Sequence, residues 1–386
     1  MELKEHRRWR LMVSILSISL LTVMAGAAVA PALGIIREYF SDEPLTVVQL
    51  IISMPALFIA ITNLFFGRLC RIFTAKKLTL IGLIMYVVFG CAAGLFSNIY
   101  FVLVCRALLG IGVGILMPLS TGLISYYFTK DKHDMLMGYS SAMNMMGGVI
   151  ATLIAGLLAI VSWRLSFLVY LMGVLCIVLV MLWMPDEKIV DDGPKKKETG
   201  TFRKYYPYIV GMFLLMIVFY NYPSNFALEV SKNGAIPKHL VPIVMATMDV
   251  FGFIGGLVYP KLKIKLGKLT KDVTPVLFIL GYIFLQFVGG FTGTLIGSFI
   301  IGAASGMGIP YLISTGSSKA GKSAATTVIP ALSIAMYLSQ FTTPAIISCF
   351  RKVFETLYPA GTSFHAALIV SIVFLLWTVL FIDKEK

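Results

Sequence analysis

The chain has 386 residues, of which 58% are hydrophobic and 13% charged, with a mean hydropathy of +0.90. Soluble domains carry about 45–50% apolar and about 25% charged residues, so a soluble fold is excluded, and the apolar segments leave no room for a separate catalytic domain. The net charge of +14 would suggest nucleic acid in a soluble protein, but its placement reads as membrane topology, and no nucleic-acid partner is expected.

A membrane-spanning helix needs about 20 apolar residues. Runs of that length begin near Leu11, Leu45, Thr79, Ile99, Gly138 and Arg164, and again near Pro207, Leu240, Val273, Thr292, Ala325 and Phe364. The polar segment from Pro185 to Tyr205 separates the two sets near the midpoint of the chain. The predicted fold is an all-α membrane protein with twelve transmembrane helices in two pseudo-symmetric six-helix bundles. The bundles are expected over residues 1–187 and 206–386, joined by a cytoplasmic linker over 188–205. In the first run, Arg7, Arg8 and Arg10 precede Ala28-Val29-Ala30, which resembles a signal cleavage site. Pro31 would follow the cut and eleven further spans come after, so this run is read as an uncleaved helix. The five cysteines are scattered without metal-ligand spacing. Neither a metal nor a cofactor is expected, and the chain is read as a monomer in the lipid bilayer.

With the N-terminus inside, 25 of the 32 basic residues fall on inner segments and six on outer ones, with Arg106 inside a span. Cytoplasmic loops carry the excess of Lys and Arg. Both termini are therefore expected in the cytoplasm, with the protein in a plasma or inner membrane.

The halves repeat each other. Gly110, Gly114 and Pro118 of the fourth span return as Gly302, Gly306 and Pro310 of the tenth, 192 residues on. Gly67-Arg68-Leu69 after the second span is matched by Pro260-Lys261-Leu262 after the eighth, 193 residues on. Small residues every fourth position let helices approach closely in lipid, and their recurrence at one interval marks an internal duplication. Two parallel six-helix repeats with a site near the midplane at their interface describe one class of secondary transporter.

These residues carry a resemblance to the major facilitator superfamily over essentially the whole chain. The loop Gly67-Arg68-Leu69-Cys70-Arg71-Ile72-Phe73-Thr74-Ala75-Lys76-Lys77 resembles the family's glycine-and-basic loop signature. Arg106 with Gly110, Gly112 and Gly114 resembles its buried arginine–glycine motif. Trp163-Arg164-Leu165-Ser166-Phe167 is similar to the start of the family's sixth helix, and Pro31-Ala32-Leu33 to the end of the first helix in the drug:proton antiporter branch. Two departures stand out. Arg71 replaces the usual acid of the loop clamp, for which Asp131 and Asp134 are candidate substitutes. In the fifth span, Gly147 and Gly148 are followed by small residues without the antiporters' proline.

Charge within hydrocarbon tends to mark function. Arg106 and Asp249 lie within spans, and Glu229 lies at the outer end of the seventh, where it is expected near water. Asp249 is the first candidate for proton coupling and Glu229 the reserve. Arg106 has two readings, a structural hydrogen bond to first-helix carbonyls or, by the resemblance, a sensor of protonation. Tyr220, Asn221, Tyr222 and Asn225 surround the helix breaker Pro223 and are expected to line a cavity. Tyr311, Tyr337 and Gln340 are expected to join them, with Asn144 and Met145 from the first half. Gly67, Arg68, Arg71, Lys76, Gly110, Gly114, Pro118, Gly147 and Gly148 are assigned gating or structural roles. The stretch Gly316–Ser323 matches a phosphate-cradling loop by letter, but no strand precedes it, and it is read as a basic loop between the tenth and eleventh spans.

The expected activity is not enzymatic. It is transport of a small organic substrate, drug-like or metabolite, by alternating access, with proton-coupled efflux implied by the branch resemblance. Uptake of a metabolite by symport or facilitated diffusion is the alternative, favoured by the missing fifth-span proline. A channel would need a ring of like groups along one pore, and none repeats.

Overall fold

The computed structural model describes residues 5–128, 130–188, 202–357 and 363–382. Within these, the side chains of 5–8, 130, 131, 133, 134, 202–204, 317–327 and 354–357 are not described. All regular structure among the described residues is helical, as lipid requires of a chain that does not close into a barrel.

The first span comprises the helix Glu5–Ala27, a 3-10 turn at Ala30–Ala32 carrying Pro31, and the short helix Leu33–Tyr39. Spans two to five are Leu45–Ile72, Ala75–Ala92, Ile99–Tyr127 and Lys130–Val161. The sixth opens as a 3-10 helix, Leu165–Leu171, and continues as Met172–Trp183. The seventh is Phe202–Asn233 and the twelfth Ser363–Phe381. Between them, the apolar stretch Lys238–Val288 covers 51 residues, about 75 Å of helix and far more than one crossing needs. It divides at Gly267, whose φ of +53° ends the eighth span, Val241–Leu266. The ninth is Thr270–Ile283, extended by a π turn over Phe284–Val288. The long helix Gly290–Leu357 contains the tenth and eleventh spans, Gly290–Gly316 and Val328–Val353. This gives twelve.

Local chemistry sets several boundaries. Thr74 caps the third span, its side chain accepting from Lys77 N–H, and Asn98 caps the fourth through Tyr100 N–H at 2.9 Å. Such caps satisfy backbone donors that have no partner inside the helix. Gly289 and Gly290, both with positive φ, make the turn into the tenth span.

Two sequence expectations are corrected. Pro223 does not break the seventh span, which runs continuously from Phe202 to Asn233. Proline removes one backbone donor, and a helix packed against neighbours tolerates that loss. The Gly316–Ser323 stretch is not a loop but continuous helical backbone, a conformation that cannot wrap a phosphate. It is rich in small residues and meets no proline until Pro330.

The chain divides into two compact units, Met1–Gly193 and Pro194–Lys386, with the boundary inside the segment expected as linker. In the first unit, spans two and four pack closely. A Cβ on Gly114 would stand 2.7 Å from Thr62 Cβ, and one on Gly110 would stand 2.8 Å from Pro55 Cα. In the second unit, Gly302 and Gly306 of the tenth span press on the backbone of Met248 and Gly252 in the eighth. The duplicated glycines therefore sit in equivalent seams, with no room for a side chain in either.

Lysines also repeat. Lys76 Nζ donates to Met181 O at 2.7 Å, joining the start of span three to the last turn of span six. Lys271 Nζ donates to Thr378 O and Ile382 O at 3.1 and 2.9 Å, joining the start of span nine to the end of span twelve. A cation among the last carbonyls of a helix is favoured by its dipole.

Candidate transport site

Arg106 is fully buried and held in three directions. Nε donates to Ile51 O of span two at 2.6 Å, one terminal nitrogen to Tyr170 Oη of span six at 2.6 Å, and the other to Ala25 O of span one at 2.7 Å. Tyr170 Oη also donates to Ala25 O at 3.0 Å. The guanidinium thus ties four spans together through uncharged partners. The basic loop is anchored differently from the family signature. Thr74 donates to the Asp186 carboxylate, and Ala75 N–H donates to Glu187 O at 3.0 Å. The start of span three is thereby fastened to the segment that follows span six. Asp131 and Asp134, expected to replace the missing acid, have side chains outside the described residues. Arg68 is exposed and lies over the Phe65 ring at 5.7 Å, Arg71 is exposed, and a Cβ on Gly67 would meet nothing within 4 Å. Pro118 lies within the helix of span four.

The aromatic patch of span seven faces inward. Tyr220, Asn221, Tyr222 and Asn225 are all buried. Tyr222 Oη meets Ser298 Oγ of span ten at 2.6 Å, and Ser298 Oγ donates to Thr294 O at 2.6 Å. Asn225 Nδ2 donates to Asn221 Oδ1 at 2.9 Å. Asn221 Nδ2 donates to Ser363 O at 3.4 Å and to Tyr282 Oη at 3.5 Å. Glu229 is 4% exposed, which corrects its expected position near water. One carboxylate oxygen accepts the Ser363 N–H at 2.9 Å, at the first residue of span twelve. The sequence missed the partners Ser298, Tyr282 and Ser363.

Asp249 is half-buried on span eight and lies within electrostatic reach of Tyr222. Gln340 of span eleven is half-buried, whereas Tyr337 and Tyr311 are buried, Tyr311 edge-on to Tyr259. In the first unit, Gly147 and Gly148 are buried, and Gly147 leans on Leu20 O of span one. Asn144 is half-buried with Thr22 Oγ1 at 2.7 Å from its Oδ1, and Met145 is 37% exposed. Ser19 Oγ and Ser140 Oγ meet one turn away at 2.7 Å. Thr22, Ser19 and Ser140 also went unread in the sequence, although Ser19 and Thr22 share a helical face. Of the candidate site residues in the spans, Asn144, Asp249 and Gln340 are thus half-buried, while Tyr220, Tyr222, Tyr311 and Tyr337 are packed away.

Among curated proteins, the chain is 29% identical over 153 residues to an uncharacterised transporter of Schizosaccharomyces pombe, covering 40% of this chain and 31% of that protein. It is 24% identical over 243 residues to the sialic acid transporter NanX of Escherichia coli, covering 56% and 58%. It is 25% identical over 183 residues to a hexuronate transporter of Bacillus subtilis, covering 45% and 43%. The chain therefore spans between about a third and three-fifths of the length of the curated relatives it matches. Among solved structures, a bacterial homologue of the human lysosomal transporter Spinster superimposes with a TM-score of 0.78 at 17% identity, covering 100% of this chain and 99% of that one. The nucleoside transporter NupG gives 0.72 at 12% identity, covering 97% and 100%. These likenesses concern the fold. The family model of the Major Facilitator Superfamily matches residues 15–344, and with twelve helical spans in two units built on duplicated glycine seams, the chain belongs to that superfamily.

Proposed function

We propose that this transporter takes up a small hydroxylated metabolite, of the acidic-sugar type, in symport with protons, and that Asp249 carries the coupling proton. As a superfamily member it is a multi-pass membrane transporter of small molecules and not an enzyme. The observation that carries the finer reading is the chemistry of those candidate site residues that keep some exposure. Asn144, Asp249 and Gln340 are half-buried, while Tyr220, Asn221, Tyr222, Asn225, Tyr311 and Tyr337 are buried within the second unit. Amides and a carboxylate suit a polar solute better than an apolar drug. The solutes named for the E. coli and B. subtilis relatives are acidic sugars, which supports the same class.

Hydrocarbon disfavours the charged form of a carboxyl group, so Asp249 is positioned to alternate between protonated and ionised forms as its access to water changes. A monocarboxylate that travels with one proton crosses without net charge. No second fixed cation is then needed beside Arg106, whose three nitrogens each already donate to the protein. Proton-coupled efflux of an apolar compound is the second reading. It is favoured by the 3-10 turn at Ala30–Ala32, the stretch that resembles the antiporter branch.

The test uses purified protein in liposomes, with labelled D-glucuronate and N-acetylneuraminate outside and an inwardly directed proton gradient. Wild type accumulates at least one of them, and Asp249→Asn retains exchange while losing accumulation. Undiminished accumulation by Asp249→Asn overturns the coupling role. Gradient-driven movement of ethidium with neither acid transported establishes the efflux reading instead.

A further inference from the structure

We infer that the seam between spans one and five in the first unit is a hydroxyl-recognition site, in which Asn144 binds a hydroxyl group of the solute and Thr22 orients its amide. This inference rests on the uptake reading above and narrows its substrate class. The argument starts from the helical period of span five. Ser140, Gly147, Gly148, Ala151 and Ala155 are buried and mark the face that packs inside the bundle. Asn144 is four residues after Ser140 and four before Gly148, so it lies on that same packed face. The opposite face carries the exposed Tyr139, Met146, Leu157 and Ile160. Yet Asn144 is half-buried where its neighbours on the packed face are closed. Asn144 therefore keeps its exposure at a position on the packed face.

Span one supplies the other wall. Ser19 and Thr22 are buried, and both reach across the seam, Ser19 to Ser140 at 2.7 Å and Thr22 to Asn144 at 2.7 Å. Gly147, lacking a side chain, lets span five come against Leu20 O and brings these hydroxyls into range. Thr22 Oγ1 lies 2.7 Å from Asn144 Oδ1 and 2.9 Å from Ser19 O, and shares its one proton between these acceptors. Among the described residues the other end of the Asn144 amide, Nδ2, has no hydrogen-bond partner. A polar group left unpaired within a membrane span calls for water or a ligand. A hydroxyl can donate as well as accept, so it complements an amide whose orientation is fixed by a neighbouring threonine. The seam residues beside it, Ser19, Thr22 and Ser140, carry uncharged hydroxyls, a polar setting that fits a sugar-like solute.

The experiment measures binding to the full-length protein in detergent by ligand-induced thermal shift. The probes are D-glucuronate, D-glucose and cyclohexanecarboxylate, the last having the size and charge of a sugar acid without its hydroxyls. Wild type is expected to bind D-glucuronate and to discriminate against cyclohexanecarboxylate. Asn144→Ala should weaken D-glucuronate about tenfold, the effect of one lost hydrogen bond, and should largely abolish the discrimination. Thr22→Val, nearly isosteric, should still fold and should weaken D-glucuronate severalfold, which keeps the test valid if Asn144→Ala does not fold. Equal affinity of wild type and both variants for D-glucuronate overturns the inference while leaving uptake and the Asp249 role standing. If wild type binds none of the three probes and is stabilised by ethidium, the uptake reading fails and this inference falls with it.

Discussion

Replacing Gly306 by alanine adds one methyl group where the structure has no space for it. The new Cβ would collide with Gly252 O and stand 2.8 Å from the Gly252 carbonyl carbon and 2.9 Å from Gly256 N. Non-bonded carbons rest about 3.5–4.0 Å apart, so span eight would have to retreat by about 1 Å at this level. The opposing atoms are backbone, and no side chain can rotate away. Overpacking of this kind costs about 1–3 kcal/mol. The upper end is expected, because retreat at Gly306 also opens the contact between Gly302 and Met248 one turn away. Gly252→Ala lies in the same seam but meets only ordinary contacts, with Gly302 O at 3.5 Å and Ser305 Oγ at 3.7 Å. Gly122→Ala meets nothing within 4 Å, and the higher helix propensity of alanine should raise stability by about 0.8–1 kcal/mol. Unfolding of the purified variants in mixed micelles, followed by circular dichroism, should place Gly122→Ala and Gly252→Ala above wild type and Gly306→Ala below it. Equal stability of Gly306→Ala and Gly122→Ala would refute the close-packing argument.

Arg106→Lys keeps the charge but cannot reach Ile51 O, Tyr170 Oη and Ala25 O together, and unfolding measurements should show a loss of about 3 kcal/mol. Wild-type stability would mean that the three bonds contribute nothing net. Glu229→Gln retains an oxygen for the Ser363 N–H and should stay within about 1 kcal/mol of wild type. Glu229→Ala leaves that buried donor unpaired and should lose about 1–3 kcal/mol, so equal stability of the two would count against a capping role. Lys76→Met and Lys271→Met should each lose up to about 1 kcal/mol, and the double variant should show the sum, since the clamps share no partner.

The spans and the duplication were legible because they are written in local composition. Apolar runs of about 20 residues, glycine pairs four apart and their return 192 residues later need no knowledge of tertiary partners. The site was less legible, since its meaning depends on residues far along the chain. Phe219–Asn225 reads the same whether it lines a cavity or closes a seam. What decides is the position of Ser298, Tyr282 and Ser363, which lie 76, 61 and 142 residues from their partners Tyr222 and Asn221. Pro223 misled for a related reason: a missing backbone donor breaks an isolated helix more readily than one held by three packed neighbours. Glu229 was misplaced because counting residues gives depth along a span but not which way a side chain turns. Arg106 was read correctly as a candidate bond to first-helix carbonyls, yet its ties to Ile51 and Tyr170 had no signature in sequence.

The duplicated seams are closed by unequal chemistry, and the two units should differ in compliance as a result. Ser298 follows Arg106 by 192 residues, the interval that separates Gly110 from Gly302. At this level the first unit carries a guanidinium with three donors engaged, and the second carries a hydroxyl pair, Tyr222 with Ser298. Hydrogen bonds from an ionised donor are roughly twice as strong as neutral ones. At this level the first unit should therefore be the stiffer of the two. Asp249, within electrostatic reach of Tyr222, belongs to the second of these units.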